Sequence, residues 1–217
     1  MQYSKFFDHT LLKADASLDQ IVKLCKEAAF FSFYSVCVNP FYVPVCKRIL
    51  RGTDVKVATV IGFPLGQTSP KMKVEEAVDA IKMGADEVDM VQNIAAAKAH
   101  DFKFIELEVQ KVKQAIGKDK VLKVILETCY LNRREIVQCC LAAKRAGADF
   151  VKTSTGFGPG GATVRDVQLM RSAVGPDIGV KASGGIRTKA DFLKMIAAGA
   201  NRIGSSNSAS IMREFLK

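Results

Sequence analysis

Histidine is scarce in this chain: of 217 residues only His9 and His100 carry an imidazole, and no C-x-x-C spacing groups the six cysteines as metal ligands. No structural metal is expected. No run reaches the roughly 18 to 20 apolar residues that span a bilayer, and the opening MQYSKFFDHT holds no apolar stretch of signal-peptide length. A cytoplasmic protein without membrane contact is therefore expected, and in that setting disulfides are disfavoured. Cys25, Cys37, Cys46, Cys129, Cys139 and Cys140 lie in apolar helical or strand-like segments, which predicts six buried free thiols.

A basic arm is also missing. The 32 Lys and Arg exceed the 22 Asp and Glu to give a formal charge of +10, but the two signs are interspersed, as between Lys103 and Lys113. Nucleic acid is not an expected partner; solvated helix faces and a field that attracts a small anionic metabolite account for the surplus. Nor does any Ser/Gly/Pro-rich linker or low-complexity segment divide the chain, so residues 1–217 are expected to form one domain.

What the chain does contain is alternation. Ser17-Leu-Asp-Gln20 reads as a capping box before Ile21, Leu24, Cys25 and Ala28 at helical spacing. Ser69 with Pro70, Asn132 with Glu135, Thr163 with Asp166 and Thr188 with Asp191 open further helices in the same way. Between them run apolar or β-branched stretches suited to strands buried on both faces: 35–38, 56–61, 87–91, 122–126, 150–153, 179–182 and 202–204, with 6–10 as a first strand. Met83-Gly-Ala-Asp86, Ala146-Gly-Ala-Asp149 and Ala198-Gly-Ala-Asn201 form a weak repeat at helix ends, each glycine at the expected C-cap. Eight βα units of roughly 27 residues predict an α/β fold, a single-domain (β/α)8 TIM barrel, with a doubly wound open sheet as the competitor.

In either architecture ligands gather at the C-terminal ends of the strands. There the sequence places Asp89, Lys152 and Lys181, ionisable groups in apolar strands. Strand spacing of about 5 Å would bring the two lysines close enough for repulsion to keep one amine neutral and nucleophilic toward a carbonyl. Asp89 would then move protons. A snorkelling lysine, a salt-bridged lysine and a structural Asp are the blander readings, and the three residues together favour a site. Lys123, which could pair with Glu127 or Asp89, stays unassigned, and Cys37 is expected to be a bystander. Glycine-rich stretches at 155–161 and 183–186, with Gly204-Ser-Ser206, offer N–H groups and hydroxyls to a phosphate. Gly156, Gly158 and Gly161 also fit G-x-G-x-x-G with Asp177 further on, so a dinucleotide site is the non-aldolase alternative; a transaldolase-like or keto-acid aldolase is the other.

Phe150-Val-Lys-Thr-Ser-Thr-Gly156 and Val180-Lys-Ala-Ser-Gly-Gly-Ile-Arg-Thr188 resemble the two lysine signatures of the deoxyribose-phosphate aldolase family. The likeness extends to Phe7-Asp-His-Thr-Leu-Leu12, Val36-Cys-Val-Asn-Pro40, Ala58-Thr-Val-Ile-Gly-Phe-Pro64, Glu87-Val-Asp-Met-Val91 and Leu122-Lys-Val-Ile-Leu-Glu-Thr128. The resemblance implies a class I lyase of deoxyribose phosphate catabolism without metal or organic cofactor. It would cleave 2-deoxy-D-ribose 5-phosphate to D-glyceraldehyde 3-phosphate and acetaldehyde. Lys152 would form the Schiff base, Lys181 would lower its pKa and relay protons, and Asp89 would be the acid/base. Thr155, Gly156, Gly184, Gly185, Ser205 and Ser206 would hold the small phosphorylated sugar, and a homodimer is the candidate assembly. Asn207 stands where the family resemblance leads one to expect a small residue. The chain also stops at Lys217, short of the tyrosine-ended tail of some members, so slower or differently arranged turnover is expected.

Overall fold

A computed structural model describes residues 3–216. Eight parallel strands close on themselves: β1 Phe7–Leu11, β2 Ser35–Val38, β3 Lys56–Ile61, β4 Glu87–Val91, β5 Val121–Ile125, β6 Phe150–Lys152, β7 Gly179–Ser183 and β8 Arg202–Ser205. Closure rests on the pairing of β1 with β8, in which Asp8 sits opposite Gly204. The doubly wound alternative, which needs two free edges, is thereby excluded. Each expected strand is present, with ends displaced by a residue or so, as where β5 begins at Val121 and β6 ends at Lys152.

The helices are α1 Leu18–Phe31, α2 Val43–Ile49, α3 Pro70–Lys82, α4 Ile94–Lys98, α5 Phe102–Ile116, α6 Arg133–Arg145, α7 Val164–Val174, α8 Lys189–Ala197 and α9 Ser208–Phe215. The expected caps form. Ser17 with Gln20, Asn132 with Glu135 and Thr188 with Asp191 make reciprocal capping boxes, while Ser69 and Thr163 accept the N–H groups of Met72 and Asp166. Each cap satisfies donors that a helix start leaves unpaired, worth about 1 kcal/mol apiece.

The helix-end repeat does more than stop helices. Its glycines lie one residue beyond the C-cap, at positive φ, and the acid or amide that follows reaches back to the neighbouring strand. Asp86 accepts the N–H of Val57 at 2.9 Å, Asp149 that of Leu122 at 2.8 Å and Asn201 that of Val180 at 2.8 Å. These are buried donors at strand starts, and each side chain supplies the missing acceptor. The repeat therefore ties β4, β6 and β8 to β3, β5 and β7.

One apolar layer fills the space between sheet and helices, with Phe7, Phe33, Ile105, Val109, Met170 and Phe192 fully buried in it. A second, smaller group, Leu12, Cys37, Ala58 and Val60 with Phe63 against it, packs at β1 to β3. Charged residues occupy the barrel interior from β4 round to β8 and β1. Cysteine departs from expectation at one position. Cys25, Cys37, Cys46, Cys139 and Cys140 are buried free thiols, but Cys129 is exposed, because it falls in a 3-10 turn after β5 and not in a packed segment.

Candidate active site

Seven ionisable side chains on six strands meet inside the barrel: Asp8, Glu87, Asp89, Lys123, Lys152, Lys181 and Arg202, none more than 5% exposed. Strand alternation turns each inward, and register aligns them, with Asp89 opposite Lys123, Lys152 opposite Lys181, and Lys181 opposite Arg202. Asp89 is the hub. Its Oδ2 accepts Lys152 Nζ at 2.9 Å and Lys181 Nζ at 2.7 Å, and its Oδ1 accepts Lys123 Nζ at 2.6 Å. Lys181 also donates to Asp8, whose other oxygen accepts Arg202 at 2.8 Å and the Ser35 hydroxyl at 2.7 Å. Glu87 takes Lys123 at 2.6 Å and Arg202 at 3.2 Å, and the Arg202 guanidinium lies 3.4 Å from the Tyr34 ring centre.

Burial alone pushes each of these groups toward its neutral form. For the aspartates the surrounding cations outweigh burial: Lys123, Lys152 and Lys181 hold Asp89 well below the ordinary carboxylate range, and Lys181, Arg202 and Lys123 do the same to Asp8. Lys181 and Lys123 are raised despite burial, the first by Asp8 and Asp89 and the second by Asp89, Glu87 and Asp8. Lys152 moves the other way. Its burial, reinforced by the charge on Lys181, outweighs the pull of Asp89 and lowers the amine from 10.5. Among the described residues the cluster holds four potential cations against three carboxylates, so a neutral Lys152 balances it.

Lys152 lines a cavity of about 390 Å³ at the C-terminal ends of the strands. Thr155, Gly156, Gly184, Gly185, Ser205 and Ser206 all line it as well, so the six expected phosphate residues are brought together. Gly184 and Gly185 stand at φ +85° and +79°, a backbone path only glycine adopts freely. Asp89 and Lys181 lie beneath the cavity floor, fully buried. Gly204 is small for a steric reason: a Cβ there would sit 3.0 Å from Lys181 Cε and from Ser183 Cβ, displacing the lysine from Asp89.

With this geometry in view, the comparisons with known proteins are decisive. A model of the DeoC/LacD family aldolases matches residues 4–214. The chain belongs to that aldolase family. A curated deoxyribose-phosphate aldolase of Thermoanaerobacter sp. (strain X514) is 56% identical over 219 residues, covering 100% of this chain and 98% of the relative. One from Coprothermobacter proteolyticus is 56% identical over 214 residues, covering 99% and 97%. A solved deoxyribose phosphate aldolase from Aeropyrum pernix, described as a unique tetramer, superposes with a TM-score of 0.92 at 33% identity over 99% of this chain and 91% of that one. This chain is an aldolase, a carbon–carbon lyase.

Several residues of the candidate site carry no distinctive signal in the sequence. Asp8, Glu87 and Arg202 are three of the seven residues of the charged cluster; each is an ordinary polar residue in its strand, and only barrel closure brings Asp8 to Arg202. Arg187, within the second lysine signature but given no role there, and Lys13 line the cavity beside the glycines and supply two cations. Lys123 pairs with Asp89 and Glu87 and not with Glu127, because Glu127 turns away beyond the end of β5 to meet Thr155. The Gly156 to Gly161 loop does not open a helix: Gly161 packs on the Gly184 carbonyl, and α7 starts at Val164 behind its Thr163 cap. The dinucleotide reading lacks its helix N-terminus accordingly. Cys37 is fully buried, and burial pushes its thiol up, which keeps it a neutral wall residue beside Ala58 and Val60. Among the described residues no helix is long and apolar enough to cross a membrane.

Proposed function

We propose that this aldolase reversibly cleaves 2-deoxy-D-ribose 5-phosphate to D-glyceraldehyde 3-phosphate and acetaldehyde through a Schiff base on Lys152, in deoxyribose phosphate catabolism. The observation that carries the reading is the charge surplus of the buried cluster falling on Lys152. Of its three lysines only this one is lowered, and only this one lines the cavity. The names of the curated relatives support the phosphorylated sugar, as does a cavity lined by Arg187, paired glycines and hydroxyls.

In this mechanism the neutral Lys152 amine attacks C1 of the open-chain sugar, and the carbinolamine loses water to give an iminium ion. The C3 hydroxyl then gives up its proton, the C2–C3 bond breaks, and its electron pair forms the enamine. Glyceraldehyde 3-phosphate departs. The enamine is protonated at C2, and water hydrolyses the resulting iminium to release acetaldehyde and restore the amine. Asp89 bridges Lys152 and Lys181 through a single oxygen, so a proton held on Lys181 has a short path to the reacting nitrogen. Lys181, raised by its two aspartates, is the charged partner of Lys152 in the resting enzyme.

Borohydride added to enzyme and substrate is expected to reduce the imine irreversibly, with mass spectrometry locating the adduct on Lys152. An adduct elsewhere, or none with cleavage intact, would overturn the reading. A pH profile gives a second test. Attack needs the free amine, so kcat/KM climbs as pH rises through the pKa of Lys152. Lys181→Leu removes the repulsion that lowers this pKa and leaves Asp89 with one cation fewer. Both effects raise the pKa of Lys152, and the climb should move to higher pH; an unmoved or lowered profile counts against the role of Lys181.

A further inference from the structure

Glu127 occupies a left-handed backbone conformation, φ 57° and ψ 63°, two residues beyond the end of β5. A side chain in that region is strained by about 1 kcal/mol or more, and such strain persists where something else requires the residue. The residue is 2% exposed, and among the described residues no lysine, arginine or histidine pairs with its carboxylate. A buried carboxylate needs donors. Thr155 gives Glu127 both its backbone N–H, at 3.2 and 3.3 Å from the two oxygens, and its hydroxyl, and the Cys129 thiol adds a longer contact to Oε1 at 3.9 Å.

Thr155 passes the constraint on, because its Oγ1 accepts the N–H of Phe157 at 3.0 Å. The Phe157 ring in turn meets the Phe63 ring, from the segment after β3, edge to face at 5.3 Å. Further along the loop, a Cβ on Gly158 would come within 3.0 Å of Cys129 Sγ and 3.3 Å of Glu127 Cδ, so the loop backbone is laid directly on this carboxylate. Thr155, Gly156 and Phe157 are all cavity-lining residues, whereas Glu127 is not.

We infer that Glu127 is a positioning residue for substrate selection: its carboxylate fixes the 155–158 loop so that Thr155 and Gly156 meet the phosphate of the sugar. The inference rests on the phosphorylated substrate proposed above. The backbone strain supplies an unusual test, since glycine suits a left-handed position better than glutamate does. If Glu127 served only the turn, glycine would replace it without loss of substrate preference.

The full-length wild type, Glu127→Gly and Glu127→Gln are compared for melting temperature and for kcat and KM on 2-deoxyribose 5-phosphate and on phosphate-free 2-deoxyribose. Glu127→Gly relieves the backbone strain but leaves a cavity and two unpaired Thr155 donors, so it is expected to melt lower than wild type and to lose about tenfold of the preference for the phosphorylated sugar, chiefly through KM. Glu127→Gln keeps one acceptor at the same reach and should lose roughly threefold, a partial rescue. It carries the test alone if the glycine variant does not fold. A wild-type preference retained by both variants, or an equal loss on both sugars, overturns the inference. A wild type indifferent to the phosphate overturns instead the substrate reading, and this inference with it.

Discussion

Lys152→Ala is expected to abolish cleavage, with kcat/KM falling by roughly 10⁴-fold or more, the scale left when a covalent nucleophile is removed and only binding and electrostatics remain. No neighbour can take over. Lys181 is fully buried, donates to both Asp8 and Asp89, and does not line the cavity, while Lys123 is locked between Glu87 and Asp89. Both are also raised by their carboxylate neighbours, so neither offers a free amine in the resting enzyme near neutral pH. The variant should still fold. Alanine leaves three carboxylates facing three cations, the same balance that a neutral Lys152 gives, so the cluster loses a stem and a hydrogen bond but no net charge. Aldehyde release measured alongside the melting temperature separates the two effects. A folded variant that keeps cleavage within tenfold of wild type would remove Lys152 from the mechanism.

Much of this molecule is legible in its sequence because the relevant rules are local. The strands announce themselves as continuous apolar runs, a consequence of burial on both faces, and the caps Ser17, Asn132 and Thr188 announce the helices. Lys152 and Lys181 are visible because an ammonium interrupts an apolar strand near its C-terminal end. Register keeps them side by side. What the sequence does not reveal is the count of charges. Asp8 and Arg202 are 194 positions apart and become partners only when β8 closes on β1, so the balance that marks Lys152 as the neutral member is a property of the closed barrel. Lys123 illustrates the same limit. Its sequence offered Glu127 or Asp89 as a partner, and the choice depended on the chain reversing at Glu127, a backbone conformation that composition does not indicate.

Asp89 carries the other large expectation, and its substitution separates electrostatics from proton transfer. Asp89→Asn keeps the shape and removes the charge, leaving Asp8 and Glu87 to face four potential cations. Lys152 loses the one carboxylate that raises its pKa, so its amine becomes free at lower pH than in wild type. If neutralising Lys152 were all that limited the reaction, the variant would be faster in acid. Cleavage is instead expected to fall by about 10²- to 10⁴-fold at every pH, because an amide cannot accept a proton from Lys181 and return it to the carbinolamine or enamine. Stability should fall too: removing one partner from a buried ionic cluster costs about 3 to 5 kcal/mol, and the melting temperature would register it. The decisive comparison is borohydride trapping against turnover. Turnover that collapses at every pH in a folded Asp89→Asn, with trapping slowed alongside it, assigns Asp89 to the proton path. Turnover that rises in acid along with trapping would reduce Asp89 to an anchor for the charge on Lys152.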